Sequence, residues 1–141
     1  MEEIKNRAKQ LKDKTNISYT LHGYVPNAEY IDTLGNMKAD LFVTTSSTEG
    51  GVPVSLSEAA SFGLPIVATA VGGIPEIVSE ANGILMGENP SAEEVAAALR
   101  KFCTLSPGEK AAKAENSYKK WEQNFNSHNN SEKFIKLLEQ L

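Results

Sequence analysis

Residues 40–69 read DLFVTTSSTEGGVPVSLSEAASFGLPIVAT, and this stretch decides the fold. Its apolar runs at 40–44 and 65–69 are short and uninterrupted, which is typical of strands buried on both faces. Between them, Pro53 begins a helical pattern that we expect to end near Gly63, because glycine commonly terminates helices. Two such strands joined by a helix over short connections predict a parallel sheet.

The same alternation of strands and helices extends to both sides of this stretch. The other predicted elements are a helix over residues 1–12, a strand over 17–21 that ends at Gly23, a helix opened by Pro26, a helical turn around 75–78, a strand over 83–86, and three helices that follow Ser91, Ser106 and an Asn-rich break at 124–130. The fold class is therefore α/β, with a Rossmann-like parallel sheet flanked by helices. In such sheets ligands bind at the carboxyl ends of the strands, where the loops 22–27, 45–53 and 70–75 lie.

The C-terminal helices are predicted from capping signals and apolar stripes. Ser91 with Glu94, and Ser106 with Glu109, have the spacing of capping boxes, which mark helix N-termini. Cys103 falls on the apolar face of the helix after Ser91, so we expect it to pack in the core. The predicted apolar faces are Val95, Leu99, Phe102 and Cys103; Ala111, Ala114, Tyr118, Trp121 and Phe125; and Phe134, Leu137, Leu138 and Leu141.

The composition is that of one compact globular domain. Of the 141 residues, 40% are hydrophobic and 23% are charged, which are ordinary globular values. No apolar run approaches the ~20 residues of a membrane helix, and the polar N-terminus carries no secretory signal, so we expect a cytoplasmic protein. One cysteine and two histidines cannot build a zinc site with four Cys or His ligands.

Charge is distributed unevenly along the chain. The net charge is −4, but residues 29–94 carry ten acidic side chains and a single basic one, Lys38, which gives a local balance of −9. Surfaces that bind nucleic acids are basic where their loops make contact. Nucleic acid is therefore not an expected partner.

The segment 45–58 combines the features of an anion-binding site. Its paired glycines let the backbone approach a ligand closely, and the helix that begins at Pro53 offers unpaired N–H groups with partial positive charge. Phosphate is the typical ligand of such a site. Glu58, inside the helix, can accept hydrogen bonds from a diol such as ribose. The residues alone leave open a second interpretation, an ordinary strand-to-helix turn with Glu58 on a solvated face.

Residues 49–78, EGGVPVSLSEAASFGLPIVATAVGGIPEIV, resemble the signature of retaining GT-B glycosyltransferases of the group 1, family 4 type. The segments Gly23–Pro26 and Ala39–Val43 resemble the strand end and strand that precede this signature. The resemblance extends from about residue 1 to residue 103 and is to the C-terminal half of the fold, which binds a nucleotide-sugar donor. It implies a partial donor-binding domain over 1–105 and a helical tail over 106–141 that, in full-length relatives, packs back toward the N-terminal domain.

The resemblance implies roles for residues in three loops. The implied catalytic residue is Glu49, and the implied donor-binding residues are Tyr24, Val25, Gly50, Gly51, Val52, Pro53, Val54, Ser55, Glu58, Gly72 and Gly73. Glu49 would contact sugar hydroxyls and help to hold the anomeric carbon, and Glu58 would hold the ribose hydroxyls. Backbone amides of 51–54, with the Ser55 hydroxyl, would cradle the diphosphate.

The two remaining loops have implied roles at the edges of the donor site. Backbone near Tyr24 and Val25 would meet the edge of the base, and Gly72 and Gly73 would keep the cleft open where a second domain closes. The family commonly works without a bound metal, so no metal or other cofactor is expected.

The sequence departs from the family pattern in its spacing and in what it lacks. Eight residues separate Glu49 from Glu58, where the family usually has seven, so the count back from Glu58 reaches Gly50. The acceptor-binding N-terminal domain and two earlier strands, which carry an Arg and a Lys for the diphosphate, have no counterpart. We therefore expect weak nucleotide binding and no transfer from the 141-residue chain alone.

The missing strands also leave sheet edges to be covered. We expect the strand at 17–21 to pair directly with 41–44, or partner chains to fill the gap, since bare strand edges invite association. Self-association through these edges or through the apolar C-terminal helices is the expected consequence.

The sequence therefore predicts the donor-binding part of a glycosyltransferase, which moves a sugar from a nucleoside diphosphate sugar to an acceptor hydroxyl with retention. Synthesis of polysaccharides or glycoconjugates is the expected setting, with peripheral attachment at the inner membrane face in the full-length enzyme. Two alternatives stay open: a non-catalytic nucleotide-binding or interaction module, and a fragment of a nucleotide-sugar 2-epimerase. A nicotinamide-dependent dehydrogenase is disfavoured because no G-x-G-x-x-G pattern follows a strand.

Overall fold

The computed structural model describes residues 2–12 and 15–140. These residues form two compact units, one that extends to Asp32 and a larger one that begins at Thr33. The division proposed from the sequence at 105/106 stays a prediction.

The smaller unit contains helix α1 (Glu2–Lys12) and the start of helix α2 (Asn27–Asn36). Both helices were predicted, and the Tyr30 N–H donates to the Pro26 carbonyl at 2.9 Å at the start of α2. The strand predicted at 17–21 is wrong, because these residues adopt no regular secondary structure and the apolar side chains among them are exposed. Their alternating pattern is compatible with a strand, but a strand also needs a neighbour to pair its backbone groups.

The larger unit is built on a parallel sheet in the order β1 (Phe42–Thr44), β2 (Ile66–Thr69) and β3 (Gly83–Met86). Val67 lies opposite Val43 on one side and Ile84 on the other. The five helices that complete this unit, after the end of α2, are α3 (Val54–Ser61), α4 (Ile74–Ile77), α5 (Ala92–Cys103), α6 (Pro107–Asn124) and α7 (Ser127–Leu138). This confirms a Rossmann-like parallel sheet flanked by helices. The direct pairing expected between 17–21 and 41–44 is not formed in this three-stranded sheet.

Helices cover both faces of the sheet, as the uninterrupted apolar strands predict. Successive residues of β2 point to opposite faces, so Ile66 and Ala68 join one core while Val67 joins the other. The first core also includes buried residues of α3 and α4, and Trp121 of α6 and Phe125, the residue that follows α6, pack against it. The second core includes Ala98 of α5 and Met86.

The predictions for the starts of α5 and α6 are confirmed, whereas the prediction for the last residue of α5 is wrong. Both capping boxes are formed, at Ser91 with Glu94 and at Ser106 with Glu109. Cys103, in contrast, is exposed, so its predicted core position is wrong. It follows the buried Phe102 by one residue, which is a rotation of about 100° around the helix and takes it off the buried face.

The last helix is longer than the Asn-rich segment suggests. The break is confined to 125–126, and Asn126 caps α7 by accepting hydrogen bonds from the N–H groups of His128 and Asn129. Phe134, Ile135, Leu137 and Leu138 on this helix are exposed, and Leu141 of the predicted face lies outside the described residues. No helix within 2–12 and 15–140 is long and apolar enough to cross a membrane.

Polar side chains connect α6 to the loops that lead into β2 and β3. The Ser117 hydroxyl, fully buried, donates to the Leu64 carbonyl at 2.7 Å. Asn116 donates to the Ala81 carbonyl at 3.0 Å, and Lys113 donates to the Glu80 and Gly83 carbonyls. All these acceptors precede a strand or open it, so α6 holds the amino end of the sheet.

Candidate functional site

The loop that follows β1 is anchored at its beginning to the end of β2. The buried Thr69 hydroxyl donates to the Ser46 carbonyl at 2.6 Å, and the hydroxyls of Thr44 and Ser46 lie 3.2 Å apart. The sequence interpretation missed Thr69. The sequence did contain a signal for Thr69, which is a hydroxyl-bearing residue at the last position of an otherwise apolar buried strand.

Two glycines in the loop after β2 hold the middle of the loop after β1. The Gly73 N–H donates to the Gly51 carbonyl at 3.1 Å, and a Cβ on Gly73 would lie 2.5 Å from the Gly51 carbonyl carbon and the Val52 nitrogen. Gly72 has a φ of +53°, and its Cβ would overlap the backbone carbonyl of Glu49. Glycine is therefore required at both positions, for close approach and, at Gly72, for a left-handed backbone.

This contact brings together two of the loops predicted to form the site. Gly73 is buried and Gly72 is exposed, so the pair lies at the boundary between the packed loops and solvent. The sequence interpretation gave these glycines the role of keeping a cleft open. The structure shows a packing role between the loops, and their role at a cleft stays a prediction.

Helix α3 begins directly after these contacts without a side-chain cap. Its N-cap is Pro53, with φ −59° and ψ 135°, and no side chain accepts a hydrogen bond from the first turn. The Leu56 N–H, the first with a helical partner, donates to the Pro53 carbonyl at 3.1 Å. The N–H groups of Val54 and Ser55 precede it and have no intrahelical acceptor. Val54 is 70% exposed, so this positive helix end is open to a ligand.

The two glutamates of the segment hold different positions. Glu49 is half-buried, with its backbone against Gly72. Glu58 is also half-buried and lies on α3, four residues after Val54 and three after Ser55, which places it on the same side of the helix. A carboxylate one turn from an open helix N-terminus suits a ligand with an anionic part and a hydroxyl-bearing part.

The segment that forms the site offers positive potential only from its backbone, beside the carboxylates of Glu49 and Glu58. Residues 39–99 contain no lysine or arginine. Within this stretch, a bound anion would therefore be stabilised by N–H groups and the dipole of α3, and not by a cationic side chain. No group of three or more His, Cys, Asp or Glu side chains placed to hold a metal ion is present among the described residues.

The third predicted loop lies in the smaller unit. Tyr24 is 94% exposed and Val25 is half-buried, and Gly23 before them has a φ of +69°. The structure thus brings together the predicted site residues of 49–58 and 72–73 within the larger unit. Contact of Tyr24 and Val25 with the same ligand stays a prediction.

Comparison with known proteins identifies the family. The model of the family described as "Glycosyl transferases group 1" matches residues 1–121. The chain belongs to the group 1 glycosyltransferase family. Of the curated relatives, the putative colanic acid biosynthesis glycosyltransferase WcaL of Escherichia coli K12 is 32% identical over 123 residues, which are 84% of this chain and 30% of that protein. The amylovoran biosynthesis glycosyltransferase AmsK of Erwinia amylovora is 32% identical over 136 residues, 86% of this chain and 30% of that protein.

Solved structures show the same fold for this group 1 glycosyltransferase chain. The crystal structure of Anabaena HepE in complex with UDP superposes with a TM-score of 0.77 at 22% identity, over 99% of this chain and 36% of that one. The chain therefore has the Rossmann-like fold found in the C-terminal half of GT-B glycosyltransferases. It spans about a third of the length of these relatives.

Proposed function

We propose that the segment 49–58 binds the diphosphate and ribose of a nucleotide-sugar donor, in a glycosyltransferase that transfers the sugar to an acceptor hydroxyl with retention. The observation that carries the proposal is the contact of Gly72 and Gly73 with the backbone of 49–52. This contact fixes the loop directly before α3, whose N-terminus has no side-chain cap. Family membership and a relative solved with UDP support it.

The geometry suggests how each part of the donor would be held. The N–H groups of Val54 and Ser55 would receive the diphosphate and stabilise the charge that develops on it as the sugar departs. Glu58 would accept hydrogen bonds from the ribose hydroxyls, and Glu49 from the donor sugar. The Tyr24–Val25 backbone would meet the base.

The absence of cations from 39–99 limits what this chain does by itself. A diphosphate beside a stretch with eight acidic side chains needs positive charge, which we propose a further part of the enzyme supplies together with the acceptor site. We expect weak nucleotide binding and no sugar transfer from the 141 residues, and we propose that transfer in the complete enzyme needs no bound metal. The names of WcaL and AmsK support a role in polysaccharide synthesis, and we propose that the complete enzyme acts in the cytoplasm.

Calorimetric titration with UDP, GDP and ADP tests the proposal. We expect one nucleoside diphosphate to bind more tightly than the others, and Glu58→Gln to weaken that binding by about tenfold, since a hydrogen bond to a charged group contributes about 1.5–3 kcal/mol. The matched control is Glu80→Gln, because Glu80 is exposed and lies beside the amino end of β3. Equal affinities in both variants and the unaltered chain would contradict the role of Glu58.

A non-catalytic nucleotide-binding or interaction module is the second candidate, and the lack of Lys and Arg in 39–99 is the observation that favours it. Activity separates the two. Sugar transfer by the complete protein, abolished by substitution of Glu49, supports the enzyme; nucleotide binding without transfer supports the module. Rapid turnover by the 141-residue chain alone would contradict our account of the missing cations.

A further inference from the structure

A cavity opens at the carboxyl end of the sheet, beside the start of α5. It has a volume of about 530 Å³ and lies between the loop after β1 and the loop after β3. This size is typical of sites for small molecules. The lining residues are Thr45, Ser47, Glu88, Asn89, Pro90, Ala92 and Val95. None of them is among the residues that the donor-site proposal uses.

The polar side chains of this cavity are not engaged by the fold. Thr45, Ser47, Glu88 and Asn89 are all exposed, and none forms a side-chain hydrogen bond or ion pair with another of the described residues. Together they supply two hydroxyls, a carboxylate and an amide. Their hydrogen-bonding capacity is therefore available to a ligand.

The walls that carry these side chains are held in place. Ser46, between Thr45 and Ser47, accepts the hydrogen bond from the buried Thr69. On the opposite wall, Ser91 and Glu94 form the capping box that starts α5, and Val95 packs against the second core. The loops after β1 and β3, which form the two walls of the cavity, are therefore held in place. This reduces the conformational entropy that is lost when a ligand binds.

The chemistry of the lining selects the kind of ligand. No lysine or arginine lines the cavity, and Glu88 contributes a negative charge, so a phosphate or another anion is disfavoured. Hydroxyls, an amide and a carboxylate match the hydroxyl groups of a sugar, while Pro90 and Val95 offer an apolar surface to its C–H face. We propose that this cavity binds an uncharged saccharide unit, separately from the nucleotide donor.

This inference goes beyond the donor site, and its test does not depend on nucleotide binding. Backbone amide signals of ¹⁵N-labelled chain are followed during titration with glucose, galactose and mannose, and in a separate titration with UDP. We expect saturable, millimolar binding of at least one hexose, with shifts in 45–47 and 87–95. Glu88→Gln should weaken it by about tenfold through loss of a charged acceptor.

Glu93, in the first turn of α5, offers a matched control. Glu93 is exposed and does not line the cavity, so Glu93→Gln should leave hexose affinity unchanged. The proposal is overturned if no hexose gives saturable shifts, if the shifts fall on 49–58 instead, or if both variants lose affinity equally. Hexose binding at 45–47 and 87–95 without any response to UDP would uphold this site, whichever nucleoside diphosphate the donor site prefers.

Discussion

The contacts at the amino end and at the carboxyl end of the sheet differ in kind. At the amino end, buried side chains pair with the backbone: Ser117 donates to the Leu64 carbonyl, and Asn82, only 1% exposed, donates to the Ile77 carbonyl and accepts from the Ser79 N–H. At the carboxyl end, one buried side chain, Thr69, donates to the Ser46 carbonyl, but the loops after β1 and β2 otherwise meet backbone to backbone through Gly72 and Gly73.

This difference suggests that contacts at the amino end of the sheet contribute to stability, while loops at the carboxyl end serve ligand binding. Satisfied buried polar groups rigidify a structure and are costly to remove, so we expect loss of the amino-end contacts to lower the stability of the larger unit. Loops that leave N–H groups and hydroxyls unpaired keep them for a ligand. Four predictions probe this division, in decreasing order of the expected effect.

Gly83→Ala should cause the largest loss. A Cβ on Gly83 would overlap the Ile66 carbonyl on the neighbouring strand, so β2 and β3 must separate at the amino end. We expect the free energy of unfolding in urea to fall by about 3 kcal/mol or more. Gly87→Ala is the control, because no atom lies within 4 Å of its added Cβ; an equal effect of both would show that the strand contact is unimportant.

Gly72→Ala should destabilise the carboxyl end by a smaller amount. The left-handed backbone at φ +53° and the contact with Glu49 give an expected loss of about 2 kcal/mol, with displaced amide signals over 49–52. Gly50→Ala, in the same loop and without a neighbour within 4 Å, serves as the control for stability. Unchanged amide signals over 49–52 in Gly72→Ala would contradict the claim that Gly72 holds the loop after β1 in place.

Ser117→Ala tests the polar contact between α6 and the amino end. It leaves the Leu64 carbonyl without its 2.7 Å donor, and we expect a loss of about 1–2 kcal/mol in thermal or urea unfolding. Nucleotide affinity should not change. Ser131→Ala, on the exposed surface of α7, should have no effect on stability, and a loss there as large as in Ser117→Ala would refute the assignment.

Acidic pH should weaken the capping boxes at the starts of α5 and α6. We expect this loss of stability to be the smallest of the four effects. Hydrogen bonds from Ser91 lower the pKa of Glu94 below 4.5, and hydrogen bonds from Ser106 do the same for Glu109. A lowered folded-state pKa means that this stabilisation is present above pH 4.5 and disappears as pH falls through the folded value.

Glu109→Gln measures that contribution. The stability difference between the unaltered chain and this variant should be largest above pH 4.5 and shrink on acidification. Glu93→Gln, at an exposed position outside both capping boxes, is the control. A difference that stays constant from neutral pH to pH 3 (roughly one unit or more below the unfolded value) would contradict the capping role.

Local signals in the sequence were sufficient for most elements of the larger unit. Capping boxes and apolar runs act within a few residues, and the strand at 83–86 and the helix starts after Ser91 and Ser106 are found where they were predicted. The segment 17–21 failed because a strand depends on a partner that local pattern cannot supply. Cys103 failed because a one-residue step at a helix end changes the face that a side chain occupies.

The contacts that bring residues 49–52 and 72–73 together could not be predicted from the sequence, and the binding roles of these residues stay a prediction. The pairing of Gly72 and Gly73 with 49–52 joins segments about twenty residues apart, and the Thr69–Ser46 hydrogen bond joins residues 23 apart. Such contacts follow from the parallel register of β1 and β2, which the sequence alone does not fix. The cavity between the loops after β1 and β3 depends on the same register.

The most direct test of the division between the two ends is a map of amide signals during titration with whichever of UDP, GDP and ADP binds most tightly in the calorimetric comparison. Our account predicts saturable shifts at 51–58 and at Gly72 and Gly73, with the amino-end residues Leu64, Asn82 and Ser117 unaffected. Shifts centred on the amino end, or no saturable response in 51–58, would contradict the assignment of nucleotide binding to the carboxyl end.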